Sequence, residues 1–330
     1  MKKIIIALLS LMVVVSGCGS NEVKTEAPVE NAPVQEEQVE SSESTEEATE
    51  AQEEITYEFE VETSEVESRG VKVPVTIVIP KGEEGEKFPF VVMAHGHGGM
   101  RDVFGAYTRV SEGLAKKGLA SIRMDFSGCG ESKESFKENN LTNMIADVTA
   151  SIEHMKSLEN IDGEKIGMLG YSMGGRIAML SSENHEFGAM TLWAPAGTDG
   201  SDPMIAFLDG QESYDKLKCD AEKNGSVMFT TRFGQEQELG NQFFIDMEAT
   251  KPLEAIAEYE GPVLVINGSI DDIVEPRIPT TIVESATKSS KVEKIEIEGA
   301  SHGLGIYSQN SEYTDLLEGE TVNFMVENLK

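Results

Sequence analysis

The residues with the most direct chemical meaning are Gly170-Tyr171-Ser172-Met173-Gly174-Gly175, which fit G-x-S-x-G and follow the apolar run 165–169. A serine with glycines two positions before and two after, set between a strand and a helix, sits on a sharp turn with its hydroxyl clear of neighbouring side chains. The helix that starts there aims backbone N–H groups and a positive dipole end at any negative charge that develops beside the serine. Such a hydroxyl becomes a nucleophile for acyl transfer once a base takes its proton and a third group orients the base.

In that arrangement the acid and base follow the nucleophile in the order Ser, Asp or Glu, His. Of the five histidines, His95 and His97 precede Ser172, His154 lies in a helical pattern, and His185 closes the helix after the serine. His302, in Gly299-Ala300-Ser301-His302-Gly303, falls in a loop after a late strand and is the candidate base. The run 263–267 ends in Gly268-Ser269-Ile270-Asp271-Asp272, placing two carboxylates just past a strand end. Asp271 is the candidate acid, and the sequence leaves Asp272 as its alternative. An oxyanion needs two preorganised donors, one from the residue after the nucleophile and one from a loop after an early strand. Those positions are the N–H groups of Met173 and of His97, the latter in the glycine-rich run His95-Gly96-His97-Gly98-Gly99. That run lacks the Lys and the spacing of a phosphate-cradling loop. The chemistry requires no metal or organic cofactor, and no His, Cys and carboxylate cluster has metal-ligand spacing.

These residues need a scaffold that brings strand ends together. Short β-rich apolar runs alternate with helical patterns, which implies a mostly parallel sheet with helices on both faces. Strands are expected at 71–79, 90–95, 120–126, 165–169, 189–193, 263–267 and 292–297, and helices at 103–117, 141–157, 174–183, 276–287 and 313–329. One interval, about 198–258, is far longer than the connections of about 2 to 6 residues usual in such units, and is expected to form a small lid. It carries Phe207, Leu208, Tyr214, Phe229, Phe233, Phe243 and Phe244, either as a pocket wall or as the lid's own packing.

The first part of the chain reads differently. Lys2 and Lys3 precede an apolar run over 4–15 and then Ser16-Gly17-Cys18, an export signal too short to span a bilayer. Val15-Ser16-Gly17-Cys18 resembles a bacterial lipobox, which implies cleavage after residue 17, a lipid on Cys18, and an extracytoplasmic protein anchored to the cell membrane. Residues 18–68 are expected to be an acidic, disordered tether, because their composition buries too little apolar surface to offset the entropy of ordering. Between Glu22 and Glu67 there are 17 Glu against the single Lys24, half of the chain's net charge of −32. A tether of about 40 residues reaches on the order of 35 Å. So acidic a chain repels nucleic acid. Residues 69–330 are long enough for one large α/β domain, and Cys129 and Cys219, the cysteines within it, need not pair.

From residue 71 onward the chain resembles the α/β-hydrolase superfamily. The resemblance rests on His95-Gly96, on Asp125-Phe126-Ser127-Gly128-Cys129-Gly130-Glu131-Ser132 as D-x-x-G-x-G-x-S, on the turn at Ser172, and on the late Asp271 and His302. Within it, Ala194-Pro195-Ala196, a compact lid and the strand at 262–268 are similar to bacterial cinnamoyl and feruloyl esterases. The resemblance implies a serine esterase acting on a small-molecule carboxylic ester, of hydroxycinnamoyl type. A serine peptidase of the same fold acting on short peptides, or an inactive ligand-binding lipoprotein, are the alternatives.

Overall fold

The computed structural model describes residues 56–330. The expected signal segment, Cys18 and the expected tether up to residue 55 lie outside the described residues. The described elements, in chain order, are β1 (Phe59–Ser68), β2 (Val71–Pro80), β3 (Phe88–Ala94), α1 (Ala106–Lys116), β4 (Ala120–Met124), α2 (Leu141–Lys156), β5 (Ile161–Tyr171), α3 (Met173–Ser181), β6 (Ala189–Trp193), α4 (Asp202–Phe207), α5 (Gln211–Asn224), β7 (Ser226–Thr230), β8 (Glu236–Gly240), α6 (Asn241–Ala249), α7 (Pro252–Glu258), β9 (Val263–Gly268), α8 (Arg277–Ser285), β10 (Val292–Ile297) and α9 (Ser311–Leu329).

Eight strands form one sheet in the order β1-β2-β4-β3-β5-β6-β9-β10, parallel from β4 to β10 and antiparallel at β1 and β2. The central strands read as unbroken apolar runs because both faces are covered. Alternation of side chains then sorts them: Phe90, Val92 and Ala94 of β3 join a core that includes Val148 and Ile152 of α2, Ile177 of α3 and Ile282 of α8. Val91 and Met93 join the opposite core with Val110 and Leu114 of α1 and Leu317, Phe324 and Met325 of α9. Trp193, at the end of β6, is fully buried in this second layer, and its indole N–H donates to Thr321 Oγ1 at 2.8 Å.

Two readings of the sequence are corrected. The segment expected to be tether through residue 68 is strand over Phe59–Ser68, paired residue for residue with β2. The hairpin closes through Arg69 and Gly70, both in the left-handed region at φ 55° and 79°, the turn whose twist matches paired strands. Val66 and Ser68 are buried while Glu60, Glu62, Glu65 and Glu67 stay in solvent, so an edge strand can be acidic and still fold. The helix expected from residue 103 begins at Ala106, because Val103 and Phe104 take positive φ (42° and 52°) in a short 3-10 turn.

The long insertion is a lid of α4, α5, the β7–β8 hairpin and α6, with α7 returning the chain to the body against α3 and α8. α5 buries Tyr214, Leu217 and Ala221, one stripe at helical spacing on an otherwise charged segment. Cys129 is buried, Cys219 is exposed, and both are free thiols. Among the described residues, no helix is long and apolar enough to cross a membrane.

Candidate active site

β5 delivers the chain to Ser172, whose φ of 56° and ψ of −115° is a strained conformation for a residue with a side chain. The surroundings enforce it. Ser172 N–H donates to Trp193 O at 2.8 Å, and Ser172 O accepts from Gly175 N–H and Ala196 N–H, each at 2.9 Å. The turn also packs too tightly for any side chain at its glycines: a Cβ at Gly170 would meet Gly174 O at 2.2 Å, and one at Gly174 would meet Ala94 O at 1.9 Å.

His302, in the loop after β10, sets Nε2 at 3.0 Å from Ser172 Oγ and Nδ1 at 2.8 Å from Asp271 Oδ2. Asp271 follows β9, and its second oxygen accepts from Ile273 N–H at 2.9 Å and Val274 N–H at 2.8 Å, which fixes the carboxylate toward the imidazole. Both groups are nearly sealed, Asp271 at 4% and His302 at 7% exposure. Asp272 points to solvent and meets Arg232 of the lid at 3.6 Å. Chemistry assigns the protons: the carboxylate accepts from Nδ1–H, leaving the Nε2 lone pair to accept from the serine hydroxyl. Tyr171 steadies His302, its hydroxyl donating to His302 O at 3.3 Å and its ring 5.3 Å from the imidazole. Burial pushes the Tyr171 phenol well above its ordinary range, so it stays a donor.

The loop 95–99 lies directly over the serine, for a Cβ at Gly96 would come within 3.1 Å of Ser172 Cβ. Met173 opens α3, so its N–H has no carbonyl one turn earlier to bond. His95 uses both ring nitrogens: Phe126 N–H donates to Nε2 at 3.2 Å, and Nδ1–H donates to Gly96 O at 2.7 Å. Burial lowers its pKa, and its bonds require the neutral ring. The Asp125 motif serves the same loop. Asp125 accepts from the N–H groups of Arg101 and Glu131 and pairs with the Arg101 guanidinium, tying the loop after β3 to the turn after β4.

A cavity of about 670 Å³ opens over Ser172 and His302. Met204, Phe207, Phe233 and Arg232 wall it from the lid, and Phe104 and Tyr307 from the body, their rings 5.0 Å apart edge to face. Of the lid aromatics singled out in the sequence, Phe207 and Phe233 line the cavity, whereas Tyr214 and Phe244 are packed on each other inside the lid. Phe104, Tyr307, Arg232 and the buried Arg176 carried no motif and were not legible. For Arg176 the one signal was position, four residues after the serine on the same helix. Among the described residues no three His, Cys or carboxylate side chains converge on a point where a metal would sit.

This architecture is the α/β-hydrolase fold, and within it the chain resembles the feruloyl esterases. Residues 85–211 match the family model of serine aminopeptidase, S33. An uncharacterized 31.7 kDa protein of Escherichia coli is 23% identical over 245 residues, 66% of this chain and 84% of that one. The putative hydrolase YtaP of Bacillus subtilis is 33% identical over 128 residues, covering 32% of this chain and 42% of its own. Est1E of Butyrivibrio proteoclasticus, solved with ferulic acid bound, superposes with a TM-score of 0.65 at 21% identity, covering 80% of this chain and 98% of that one.

Proposed function

We propose that the protein is a serine esterase that cleaves carboxylic esters through an acyl-enzyme on Ser172. The observation that carries this reading is the unbroken line from Asp271 through His302 to Ser172 Oγ, at 2.8 and 3.0 Å, on the floor of an apolar cavity. His302 takes the serine proton as Oγ attacks the ester carbonyl, and the oxyanion is held by the N–H groups of His97 and Met173. His302 then gives the proton to the departing alcohol. Water, activated by the same imidazole, releases the acid and restores Ser172.

The aromatic and aliphatic wall suits a flat acyl group, and Est1E, of the same fold, holds ferulic acid, so hydroxycinnamoyl esters are the proposed substrates. The proposal extends to place: a lipid on Cys18 would hold the enzyme at the outer face of a bacterial membrane. The match to the serine aminopeptidase model favours a second reading, hydrolysis of short peptides.

One experiment separates them. The chain and Ser172→Ala are treated with a fluorophosphonate, then assayed on p-nitrophenyl esters, methyl hydroxycinnamates and aminoacyl amides. Labelling lost in Ser172→Ala with turnover of the aromatic esters is the expected result. Turnover of the amides alone selects the peptidase, and a folded protein that neither labels nor turns over any substrate refutes both.

A further inference from the structure

His97 sits in the loop over the nucleophile, yet its ring is engaged elsewhere. The ring lies 5.3 Å from Phe207 of α4, 5.6 Å from Phe243 of α6 and 5.3 Å from Phe136, which follows β4. Its Nε2 is 2.9 Å from Gln237 Oε1 of β8. The amide oxygen only accepts, so Nε2 carries the proton and Nδ1 is left as a lone pair, buried and without a partner among the described residues. A second proton on this ring would be buried with no acceptor, and burial pushes its pKa down to about 4. The imidazole is thus neutral and committed to the lid, and cannot serve as a second base for Ser172.

Gln237 grips the same loop a second time. Gly98 has φ of 63°, and a Cβ there would come within 2.5 Å of Gln237 Nε2, so the lid amide rests on the backbone of residue 98. Gln237 is only 3% exposed and is not among the residues that wall the cavity. On the other side, His95 bonds Gly96 O and Phe126 N–H from within the body. The segment carrying the His97 N–H is therefore held between two pins, one in the body and one in the lid.

We infer that the His97–Gln237 contact is a positioning device that couples the lid to the oxyanion-binding loop, so that the His97 amide is aimed at the reacting carbonyl only while the lid is in place. This rests on the esterase reading of Ser172. Gln237, which does not itself wall the cavity, then acts on the chemical step and not on binding, because misplacing an oxyanion donor by a fraction of an ångström weakens an interaction made chiefly in the transition state.

The test is steady-state kinetics of the full chain on one chromogenic aromatic ester, with His97→Phe, His97→Gln, Gln237→Met, the double variant His97→Phe/Gln237→Met, and Ser172→Ala, their melting temperatures measured alongside. The expected result is a fall in kcat on the order of tenfold for Gln237→Met and His97→Phe with KM changed by less than about twofold. The double variant should be no worse than the worse single one, as for two residues acting through one contact. His97→Gln, which keeps a donor able to reach Gln237, should recover most of kcat. Inhibition by an aryl boronic acid, whose tetrahedral adduct occupies the same donors, should weaken in step with kcat. Should His97→Phe fail to fold, the kcat of Gln237→Met alone decides. A Gln237→Met enzyme with unaltered kcat, a rise in KM alone, or additive losses in the double variant overturns the coupling. Ser172→Ala keeps the two ideas apart: turnover surviving in it sinks the esterase reading itself, whereas a dead Ser172→Ala beside a fully active Gln237→Met sinks the coupling only.

Discussion

Between Asp271 and Asp272 the local backbone makes the choice. The N–H groups of Ile273 and Val274 converge on Asp271 Oδ1 and turn Oδ2 to His302, while the next residue is thrown outward to Arg232. Asp271→Asn should cost on the order of 10⁴-fold in kcat, since an amide there favours the wrong imidazole tautomer. Asp272→Asn should stay within a few-fold, measured on the same ester; comparable losses in both would mean the carboxylates share the role. The order Ser, Asp, His made Ser172 and His302 readable in the sequence, but the choice of carboxylate depended on which turn N–H groups face which oxygen, and spacing does not encode that. The buried histidines add a pH signature. Burial lowers the pKa of both His95 and His97, the latter to about 4. The unfolded chain therefore binds more protons than the folded one between about pH 6.5 and 4, and stability falls as pH drops through that window. Tm of His97→Gln should decline less steeply than wild type from pH 6.5 to 4.5; parallel curves would show that the ring is not held neutral.

At the level of elements, the lid hangs on Arg176. Its guanidinium, fully buried in α3, donates to Thr198 O, Gly200 O, Met247 O and Thr250 Oγ1, which lie at the two ends of the insertion. Burial lowers its pKa to about 10 against the opposing pull of the Asp199 carboxylate, still charged at neutral pH. Arg176→Met keeps much of the volume but strands these acceptors, at about 1–3 kcal/mol for a buried group left unpaired. We expect a Tm lower by about 2–12 °C and earlier proteolytic cleavage in the lid than in the body, and an unchanged lid cleavage pattern would argue against the anchor. β1 makes a second case. Its alternation of Glu with Val, Thr and Ser was hidden in the sequence by an acidic composition continuous with what precedes it, and only pairing with β2 gives the strand its worth. A chain starting at residue 71 bares the edge of β2, where Val75, Ile77 and Val78 are buried, and should aggregate, whereas one starting at residue 53 should stay soluble. Light scattering at equal concentration distinguishes them. The body strands were legible because runs buried on both faces have no competing pattern. The lid was legible only as excess length, since its helices and hairpin bury narrow stripes on polar segments.

The whole molecule adds a field to the site. Residues 56–330 carry 47 Asp and Glu against 24 Lys and Arg, while Arg232 is the one Lys or Arg among the described residues walling the cavity and is already opposed by Asp272. An ester that bears a carboxylate must approach against the summed potential, and it gains little from a cation whose partner is 3.6 Å away. That repulsion reaches about 30 Å at 0.01 M salt and about 8 Å at 0.15 M. With anionic esters, kcat/KM should therefore rise several-fold as NaCl goes from 10 to 150 mM, while a neutral methyl ester of the same aromatic acid stays level. Arg232→Gln should steepen the rise by removing the mouth's cation. If instead salt slows the anionic ester, Arg232 outweighs the rest of the molecule at the point of encounter, and the cavity is one that selects for negative charge despite the chain that carries it.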